Sequence, residues 1–328
     1  MSEPLLRVRG LQVRYPLRGG GLGARRWFTA LHEVDLDVAA GQAVGIVGES
    51  GCGKSTLARA ILALVEPHAG AIEWRGAAVR RSDPAALRRM RRELQVVFQD
   101  PVGSLDPRMT IAGSVAEALE ALEGMRDRTQ AAPRVAASLA EVGLDPSLGA
   151  RYPHELSGGQ CQRAAIARAI VARPRLLICD EAVSALDVSV QAQIVNLLDE
   201  LRRRHGLALL FISHNLAVVR HLCDEVAVLY LGRLVERGPR AAVFATPRHP
   251  YTRALLQAVP NPDPATPRPR VAAVRAMDAA GAQPADGCAF AGRCALADAT
   301  CRRPPPLVDT GGGHVTACHH WHVLPRAR

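Results

Sequence analysis

Lysine is nearly absent from this chain: of its 41 basic residues only Lys54 is a lysine, and the rest are arginines. The sequence also lacks a basic-then-apolar leader and any uncharged apolar run long enough to cross a bilayer. The absence of a leader argues against a signal peptide, and the absence of a long apolar run argues against a membrane-spanning helix. We therefore expect the chain to stay in the cytoplasm.

The arginine excess gives a net charge of +10, which is typical of nucleic-acid-binding proteins, of membrane-facing proteins and of arginine-rich surfaces without a partner. Aromatic residues are scarce at 4%, and none occurs in residues 75–97, where a single-strand stacking platform would need them. This stretch favours a membrane-facing or solvated surface, and we expect no nucleic-acid partner. Its arginines are Arg75, Arg80, Arg81, Arg88, Arg89, Arg91 and Arg92.

Length and cysteine content bound the architecture. A chain of 328 residues, 48% of them hydrophobic, is long enough for one large domain with a smaller appendage. Its eight cysteines are expected to be reduced thiols or metal ligands, because disulfides are rare in the cytoplasm.

Lys54 lies in residues 48–56, which follow the Gly-x-x-x-x-Gly-Lys-Ser/Thr pattern of a phosphate-binding loop. The glycines allow positive φ angles, so that successive N–H groups turn inward toward an anion. A lysine reaches the β- and γ-phosphates on a slim stem, whereas the arginine guanidinium is wider. The predicted phosphate-binding residues are Gly48, Glu49, Ser50, Gly51, Cys52, Gly53, Lys54, Ser55 and Thr56.

The flanking residues give this loop its expected context. The apolar residues 44–47 predict a buried strand, and helical apolar spacing over residues 57–64 predicts a helix that begins near Lys54. In the order strand, loop, helix, the helix N-terminus faces the phosphates. Ser55 is then expected to place its hydroxyl on Mg²⁺.

Three later apolar segments are predicted strands that end at polar residues: Gln99, the pair Asp180 and Glu181, and His214. The acidic pair suits a hydrated Mg²⁺ and the orientation of an attacking water, although such a pair also occurs in surface turns. His214 would lie at the sheet edge where α/β proteins bind ligands, although a lone histidine is usually structural.

Alanine-rich amphipathic repeats over residues 111–122 and 135–144 predict a small helical subdomain inserted into the α/β core. Residues 157–160, Ser-Gly-Gly-Gln, then open another helix. Their amides and serine hydroxyl suit a second phosphate site, and the same pattern is also typical of a plain helix cap.

Taken in order, these motifs resemble those of the ATP-binding-cassette ATPases over roughly residues 5–260. The resemblance implies an α/β fold, a P-loop NTPase cassette with a RecA-like core, an antiparallel β subdomain and an inserted helical subdomain. It implies ATP and Mg²⁺ as cofactors, with Ser55, Gln99 and Asp180 near the metal. The implied catalytic residues are Glu181, which directs the water, His214, which contacts the γ-phosphate, and Gln99, which senses Mg²⁺.

The resemblance also implies a dimer, because two cassettes of this family face each other head to tail. Ser157, Gly158, Gly159 and Gln160 would complete the ATP site of the partner. Tyr15 would stack on adenine, and Asp187 would be a further nucleotide-site residue.

A finer resemblance joins the chain to the second ATPase subunit of dipeptide and oligopeptide importers, carried by residues 98–101, 152–156 and 247–252. It implies two transmembrane permease subunits, an extracytoplasmic solute-binding protein and a second cassette ATPase. We expect that ATPase to be a different subunit, and an identical one stays open. The chain would then lie peripherally on the cytoplasmic face of the inner membrane. This subfamily also handles nickel, glutathione and other small solutes, so the cargo stays open.

Two other classes share the cassette. One is the soluble ATPases that act on nucleic acid or ribosomes, which usually carry two cassettes or long coiled coils; this chain has one cassette and no long heptad tract. The other is the exporter ATPases, which are more often fused to membrane spans. Three residues depart from the usual family pattern, and they put the turnover rate in doubt rather than the mechanism: Cys161, Ala182 and Asn215.

The domain boundary is predicted near residue 258. Residues 1–258 would form the cassette, with the helical subdomain at about residues 100–172, and residues 259–328 would form a separate proline-rich linker and cysteine-rich region. Pro260, Pro262, Pro264, Pro267 and Pro269 predict a stiff, extended linker.

Four of the eight cysteines lie in this last region: Cys288, Cys294, Cys301 and Cys318. The region has too few large apolar residues to fold without a staple, which favours metal ligation. The spacing of the cysteines leaves zinc, an iron–sulfur cluster and free thiols open. The Cys-x-Phe-x-x-Arg-Cys stretch that ends at Cys294 resembles importers with a [4Fe-4S] cluster, with zinc as the alternative, in a structural or regulatory role.

Overall fold

The computed structural model describes residues 3–17, 26–258 and 287–323, and the predicted proline-rich linker lies outside them. The described strands are β1 Leu6–Pro16, β2 Trp27–Val38, β3 Ala43–Val47, β4 Ala69–Trp74, β5 Ala77–Ala78, β6 Leu94–Val97, β7 Leu176–Asp180, β8 Ala208–Ile212, β9 Glu225–Tyr230, β10 Arg233–Pro239, β11 Val308–Asp309 and β12 Val315–Thr316. The described α-helices are α1 Lys54–Ile61, α2 Pro84–Glu93, α3 Ile111–Glu123, α4 Arg128–Glu141, α5 Gly158–Ile170, α6 Val188–His205, α7 Leu216–Leu222, α8 Arg240–Ala245 and α9 Pro250–Ala258.

The main sheet has a parallel centre in the order β9-β3-β8-β7-β6. Every residue of β3, β7 and β8 is buried, as expected for a sheet covered on both faces. Alternate residues belong to two separate cores: Val47 and Phe211 pack in one, and Ile46 and Ile212 pack in the other. The parallel strands therefore bring their carboxyl ends to one edge between two hydrophobic layers.

A second, antiparallel sheet has the order β2-β1-β4-β5. It covers one face of the main sheet, because its buried Leu6, Leu11 and Leu31 share a core with Ile46. The first strands of the chain are thereby fixed beside the loop that leaves β3.

Helices α3, α4 and α5 pack together on the other face through Val115, Leu139 and Ile166. The predicted second helix, 135–144, begins earlier, at Arg128. Its start is set by the Asp127 carboxylate, which accepts the Thr129 N–H at 2.8 Å; apolar periodicity does not register such a polar first turn. Among the described helices, none combines the length and the apolarity needed to cross a membrane.

The cysteine-rich region is docked on the cassette rather than separate from it. Strand β12 pairs with β10, with Thr316 opposite Glu236, and so extends the main sheet. Phe290 is buried, with its ring centroid 5.3 Å from that of Tyr230 and 5.5 Å from that of Tyr251. The sequence predicted a separate region, because local sequence patterns do not reveal contacts between residues that lie far apart in the chain.

A buried glutamate fastens this region to the cassette. Glu236 is 0% exposed and accepts the Arg248 N–H at 2.6 Å and the His249 N–H at 3.0 Å. His314 Nε2, from the cysteine-rich region, lies 2.7 Å from the same carboxylate. Burial lowers the pKa of His249 to about 3, so this second ring stays neutral and its Nδ1 accepts the Tyr251 N–H at 3.1 Å.

We expect Glu236→Ala to lower the free energy of unfolding by about 3 kcal/mol, because the buried N–H groups of Arg248 and His249 and the His314 imidazole would lose their hydrogen-bond partner. The melting temperature measured by differential scanning fluorimetry should fall accordingly. Glu120→Ala is the matched control, because Glu120 is exposed on α3 and its ion pair with Arg126, at 3.6 Å, lies at the surface. Equal melting temperatures for the two variants would contradict the role given to Glu236.

Candidate functional site

Residues 48–53 form a tight loop between β3 and α1, and residues 54–56 are the first turn of α1, where the sequence predicted a helix to begin. Two of the loop glycines cannot carry a side chain without displacing backbone. A Cβ on Gly48 would lie 2.3 Å from the Leu229 carbonyl oxygen, and one on Gly53, at φ 106°, would lie 2.8 Å from the Ala30 carbonyl oxygen. The loop is therefore seated directly against β9 on one side and β2 on the other.

Lys54 is the buried cation at the centre of this loop, with 4% of its surface exposed. Its Nζ donates to the carbonyl oxygens of Gly48 at 2.8 Å and Glu49 at 3.0 Å. Glu181 Oε1 lies 3.8 Å from the same ammonium. The slim side chain of lysine thus reaches two backbone carbonyl oxygens inside the loop.

Ser55 and Asp180 form the second element of the site. The Ser55 hydroxyl donates to Asp180 Oδ1 at 3.0 Å and so joins the start of α1 to the end of β7. Burial raises the pKa of Asp180. Hydroxyl and carboxylate oxygens are hard ligands of the kind that Mg²⁺ prefers, so this pair fits the predicted metal position.

Glu181 lies between two cationic or polar side chains. Its carboxylate is 15% exposed, 3.8 Å from Lys54 Nζ and 3.6 Å from His214 Nδ1. Its backbone has φ 51°, an unusual conformation for a non-glycine residue. The backbone is held from both directions: its N–H donates to the Ile212 carbonyl at 2.9 Å, and its carbonyl accepts the Ser184 hydroxyl at 2.9 Å.

The structure thus brings together Lys54, Ser55, Asp180, Glu181 and His214, all at the carboxyl edge of the parallel strands. This convergence is where α/β proteins bind ligands, and the groups can hold phosphate, a divalent ion and a polarised water.

Gln99 and Tyr15 lie less close to this centre. Gln99 is exposed, two residues beyond Val97, which is the neighbour of Cys179 on β7. The strand predicted to end at Gln99 stops at Val97. Tyr15 is half-buried on β1 opposite Phe28. Neither side chain hydrogen-bonds to the central groups within the described residues.

Residues 157–160 form a helix cap at the start of α5. The Ser157 hydroxyl accepts the Gln160 N–H at 3.3 Å, and the Gln160 side chain accepts the Ser157 N–H at 2.9 Å. Ser157 and Gly158 are exposed, and Gly159 lies against α6. In the part of the chain that the structure describes, no hydrogen bond or ion pair joins this cap to the phosphate loop.

Asp187 caps α6, where its carboxylate accepts the Val190 N–H at 2.9 Å. This bond is the main cause that lowers the pKa of Asp187. The three unusual residues have structural explanations: Asn215 caps α7 by accepting the Ala217 N–H at 3.1 Å, the Cys161 thiol donates to a buried carbonyl at 3.3 Å, and Ala182 is buried.

The Cys318 thiol interacts electrostatically with the three other predicted metal-ligating cysteines. The pKa of the Cys318 thiol is raised to about 12, mainly by burial and also by the neighbouring thiols of Cys288, Cys294 and Cys301. Backbone N–H groups point at two of the sulfurs, at 3.4 Å from Cys294 Sγ and 3.4 Å from Cys318 Sγ. Sulfur atoms that accept such bonds are typical of metal-thiolate sites.

Asp298 is a candidate ligand that the sequence did not indicate. Among the described residues, its carboxylate forms a group with Cys301 and His320 whose ligand atoms all lie within 4.8 Å of one another. His314, another histidine near Cys318 in sequence, is instead bonded to Glu236.

Two further residues that the sequence did not indicate touch the phosphate loop. The Tyr251 hydroxyl accepts the Glu49 N–H at 2.8 Å. Arg293 donates from both terminal nitrogens to the Glu49 carboxylate, at 2.8 Å and 2.9 Å. They stand 202 and 244 residues from Glu49, so local pattern carries no signal for either contact.

Comparison with known proteins gives two family matches. A model of the ABC transporter family matches residues 31–184, and a model of the oligopeptide/dipeptide transporter C-terminal region matches residues 235–301. The chain is 44% identical over 322 residues to the oligopeptide transport ATP-binding protein OppF of Escherichia coli K12, covering 96% of this chain and 95% of that protein. It is 47% identical over 327 residues to the probable peptide ABC transporter ATP-binding protein y4tS of Sinorhizobium fredii, covering 97% and 90%.

Solved structures agree on the fold. cbiO1 from Clostridium perfringens, part of the ABC transporter complex cbiONQ, is 27% identical with a TM-score of 0.63, covering 74% of this chain and 91% of that chain. The ATP-binding cassette MJ0796 bound to ADP and Pi is 26% identical with a TM-score of 0.63, covering 72% and 98%. The cassette fold predicted from the sequence is confirmed.

Proposed function

The chain belongs to the ATP-binding-cassette transporter family, and from that premise we propose that it is the ATP-hydrolysing subunit of an importer for dipeptides or oligopeptides. The observation that carries the proposal is the convergence of Lys54, Ser55, Asp180, Glu181 and His214 at one sheet edge. The peptide assignment rests on its relatives, whose printed names are oligopeptide transport and peptide transporter ATP-binding proteins.

The chemistry divides among these side chains. Lys54 and the loop amides bind the β- and γ-phosphates, while Ser55 and Asp180 would hold Mg²⁺, which would neutralise charge on the phosphates. The Glu181 carboxylate accepts a hydrogen bond from the attacking water and aligns this water with the γ-phosphorus. His214, beside Glu181, donates to the γ-phosphate. The strained backbone at Glu181 supports this role, because its carboxylate is held in place before ATP arrives.

The other predicted nucleotide-site residues take roles at the edges of the same site. Tyr15, on β1, would stack on adenine, and Gln99 would sense Mg²⁺. The helix cap formed by Ser157, Gly158, Gly159 and Gln160, in which Ser157 and Gly158 are exposed, would face the phosphate loop of a second cassette, with Asp187 nearby. The absence of any bond from this cap to the phosphate loop of its own chain, within the described residues, supports a site completed by a partner.

The partners follow from the same machinery. Two permease subunits and an extracytoplasmic solute-binding protein supply the path and the cargo, and a second cassette ATPase completes the dimer. The chain then lies peripherally on the cytoplasmic face of the membrane. Residues 1–258 serve as the cassette, and the region from residue 287 onward serves as a docked accessory segment.

Affinity purification from detergent-solubilised native membranes, with mass spectrometry of the co-purifying proteins, tests this assembly. We expect two multispanning proteins and a second cassette ATPase. Recovery of ribosomes or nucleic acid in their place would overturn the importer assignment, and recovery of a permease with a nickel or glutathione binding protein would overturn the peptide cargo.

For the cysteine-rich region we propose a [4Fe-4S] cluster held by Cys288, Cys294, Cys301 and Cys318. The interacting thiols and the N–H groups aimed at two sulfurs support a thiolate-ligated group. The iron ions of a cluster would offset the negative charge of four thiolates, of which those of Cys301 and Cys318 are buried. The place of these cysteines outside the nucleotide site fits a structural or regulatory role.

Anaerobically purified protein should contain about four iron atoms and matching labile sulfide per chain, with broad visible absorption. Cys318→Ser should lose both the metal and the absorption. Cys161→Ser is the matched control, because Cys161 is also buried but lies in the α5 core. One zinc atom per chain, or no metal at all, would contradict the cluster.

A further inference from the structure

Glu49 is the point at which the cysteine-rich region reaches the phosphate loop. Its carboxylate accepts hydrogen bonds from both terminal nitrogens of Arg293, at 2.8 Å and 2.9 Å. This bidentate geometry is the one that fixes a carboxylate most firmly. Its backbone N–H donates to the Tyr251 hydroxyl at 2.8 Å. Side chain and main chain of one loop residue are therefore both held from outside the loop.

The carbonyl of this same residue holds the catalytic lysine. Glu49 O accepts Lys54 Nζ at 3.0 Å and the Cys52 N–H at 3.2 Å. A displacement of Glu49 would therefore move the acceptor of Lys54 and the turn that shapes the loop. A continuous series of contacts therefore runs from Arg293 through Glu49 to the Lys54 ammonium.

Arg293 is itself fixed by its surroundings. The guanidinium is 17% exposed and lies 5.6 Å from the Phe290 ring centroid and 5.8 Å from that of Tyr230. The ring centroids of Tyr230 and Tyr251 are 4.5 Å apart. Cation–π contacts and a packed aromatic cluster leave the arginine little freedom. Glu49, by contrast, is 42% exposed and has solvent as its alternative.

We propose that Arg293 is a positioning residue for the phosphate loop: by holding Glu49 it holds Lys54, and through it the cysteine-rich region sets the affinity for ATP. This inference rests on the proposed function, in which residues 48–56 bind the phosphates. It adds a role for a segment that has no part in the chemistry of hydrolysis.

Arg293→Ala should raise the dissociation constant and KM for ATP about tenfold, the size expected from loss of a charge-assisted forked bond, with kcat changed less than about twofold. Arg293→Lys should restore part of the affinity, because lysine makes a point contact rather than a fork. Arg302→Ala is the matched control, since Arg302 is exposed in the same segment. ATP affinity of Arg293→Ala equal to that of the control would overturn the proposal.

The double variant Arg293→Ala with Glu49→Gln separates positioning from charge neutralisation. If Arg293 positions the loop, affinity stays weak, because the neutral side chain is still unanchored. Full recovery of affinity would mean that Arg293 only offsets a negative charge near the phosphates, and would overturn the positioning role.

Cys52 supplies a readout that does not depend on activity. Its thiol is 3% exposed inside the loop, whereas Cys179 and Cys223 are 0% exposed in the core. Alkylation followed by peptide mass spectrometry should show faster labelling of Cys52 in Arg293→Ala, with Cys179 and Cys223 unchanged. Faster labelling of all three would indicate global destabilisation and overturn the proposal.

Lys54→Ala distinguishes failure of this inference from failure of the proposed function. If Lys54→Ala weakens ATP binding and Arg293→Ala does not, only the positioning role is lost. If neither variant weakens it, the loop is not the nucleotide site, and both the inference and the proposed function fall.

Discussion

Replacing Glu181 by glutamine should leave ATP binding intact and lower steady-state hydrolysis by about a hundredfold or more. The amide keeps the size of the side chain but cannot accept a proton or polarise water as a carboxylate does. Glu181 is the carboxylate positioned for this task, 3.8 Å from Lys54 Nζ and 3.6 Å from His214 Nδ1. Binding measured with a fluorescent ATP analogue and turnover measured by phosphate release separate the two effects.

Glu200→Gln is the matched control for this experiment. Glu200 is exposed on α6, where it pairs with Arg204, so its substitution should leave turnover unchanged. Glu181→Gln turnover comparable to that of this control would remove Glu181 from the chemistry and move the catalytic base elsewhere.

Loss of Lys54 is expected to have the second largest effect. Lys54→Ala should weaken ATP binding about a hundredfold, the size expected when a charge-assisted contact to phosphate is removed from a buried site. Lys54→Arg should fail nearly as badly, because the ammonium occupies a position 2.8 Å and 3.0 Å from two carbonyl oxygens where a planar fork does not fit. Isothermal titration calorimetry with Mg-ATP measures both variants.

Arg126→Ala serves as the control, since Arg126 is exposed and pairs with Glu120 at the surface. If Lys54→Arg bound ATP as wild type does, the rarity of lysine in this chain would have no link to the phosphate site.

The parts of the site that the sequence indicated are those encoded by local order. The strand before the loop, the glycines at 48 and 53 and the helix from Lys54 are consecutive, and each has a backbone reason that a reader of the sequence can supply. Asp180 and His214 follow buried parallel strands, whose carboxyl ends meet at one edge by construction. Apolar periodicity and glycine placement were therefore sufficient to predict that these residues lie at one edge of the sheet.

The parts that the sequence did not indicate depend on contacts between distant residues. The bond from Arg293 to Glu49, the buried bond from Glu236 to His314 and the pairing of β12 with β10 join segments that no periodicity connects. Each of these contacts holds the cysteine-rich region against the cassette. A sequence pattern assigns such residues to a tail, because it carries residue type and spacing but not which surface the tail meets.

Uptake into proteoliposomes made from the purified complex shows whether hydrolysis by this subunit drives peptide import, with Mg-ATP inside and the binding protein and a labelled oligopeptide outside. We expect peptide to accumulate only when ATP is hydrolysed, and we expect accumulation and phosphate release both to collapse when this subunit carries Glu181→Gln. Peptide accumulation that is independent of ATP, or undiminished by Glu181→Gln, would contradict the assignment of this chain as the subunit whose hydrolysis drives import.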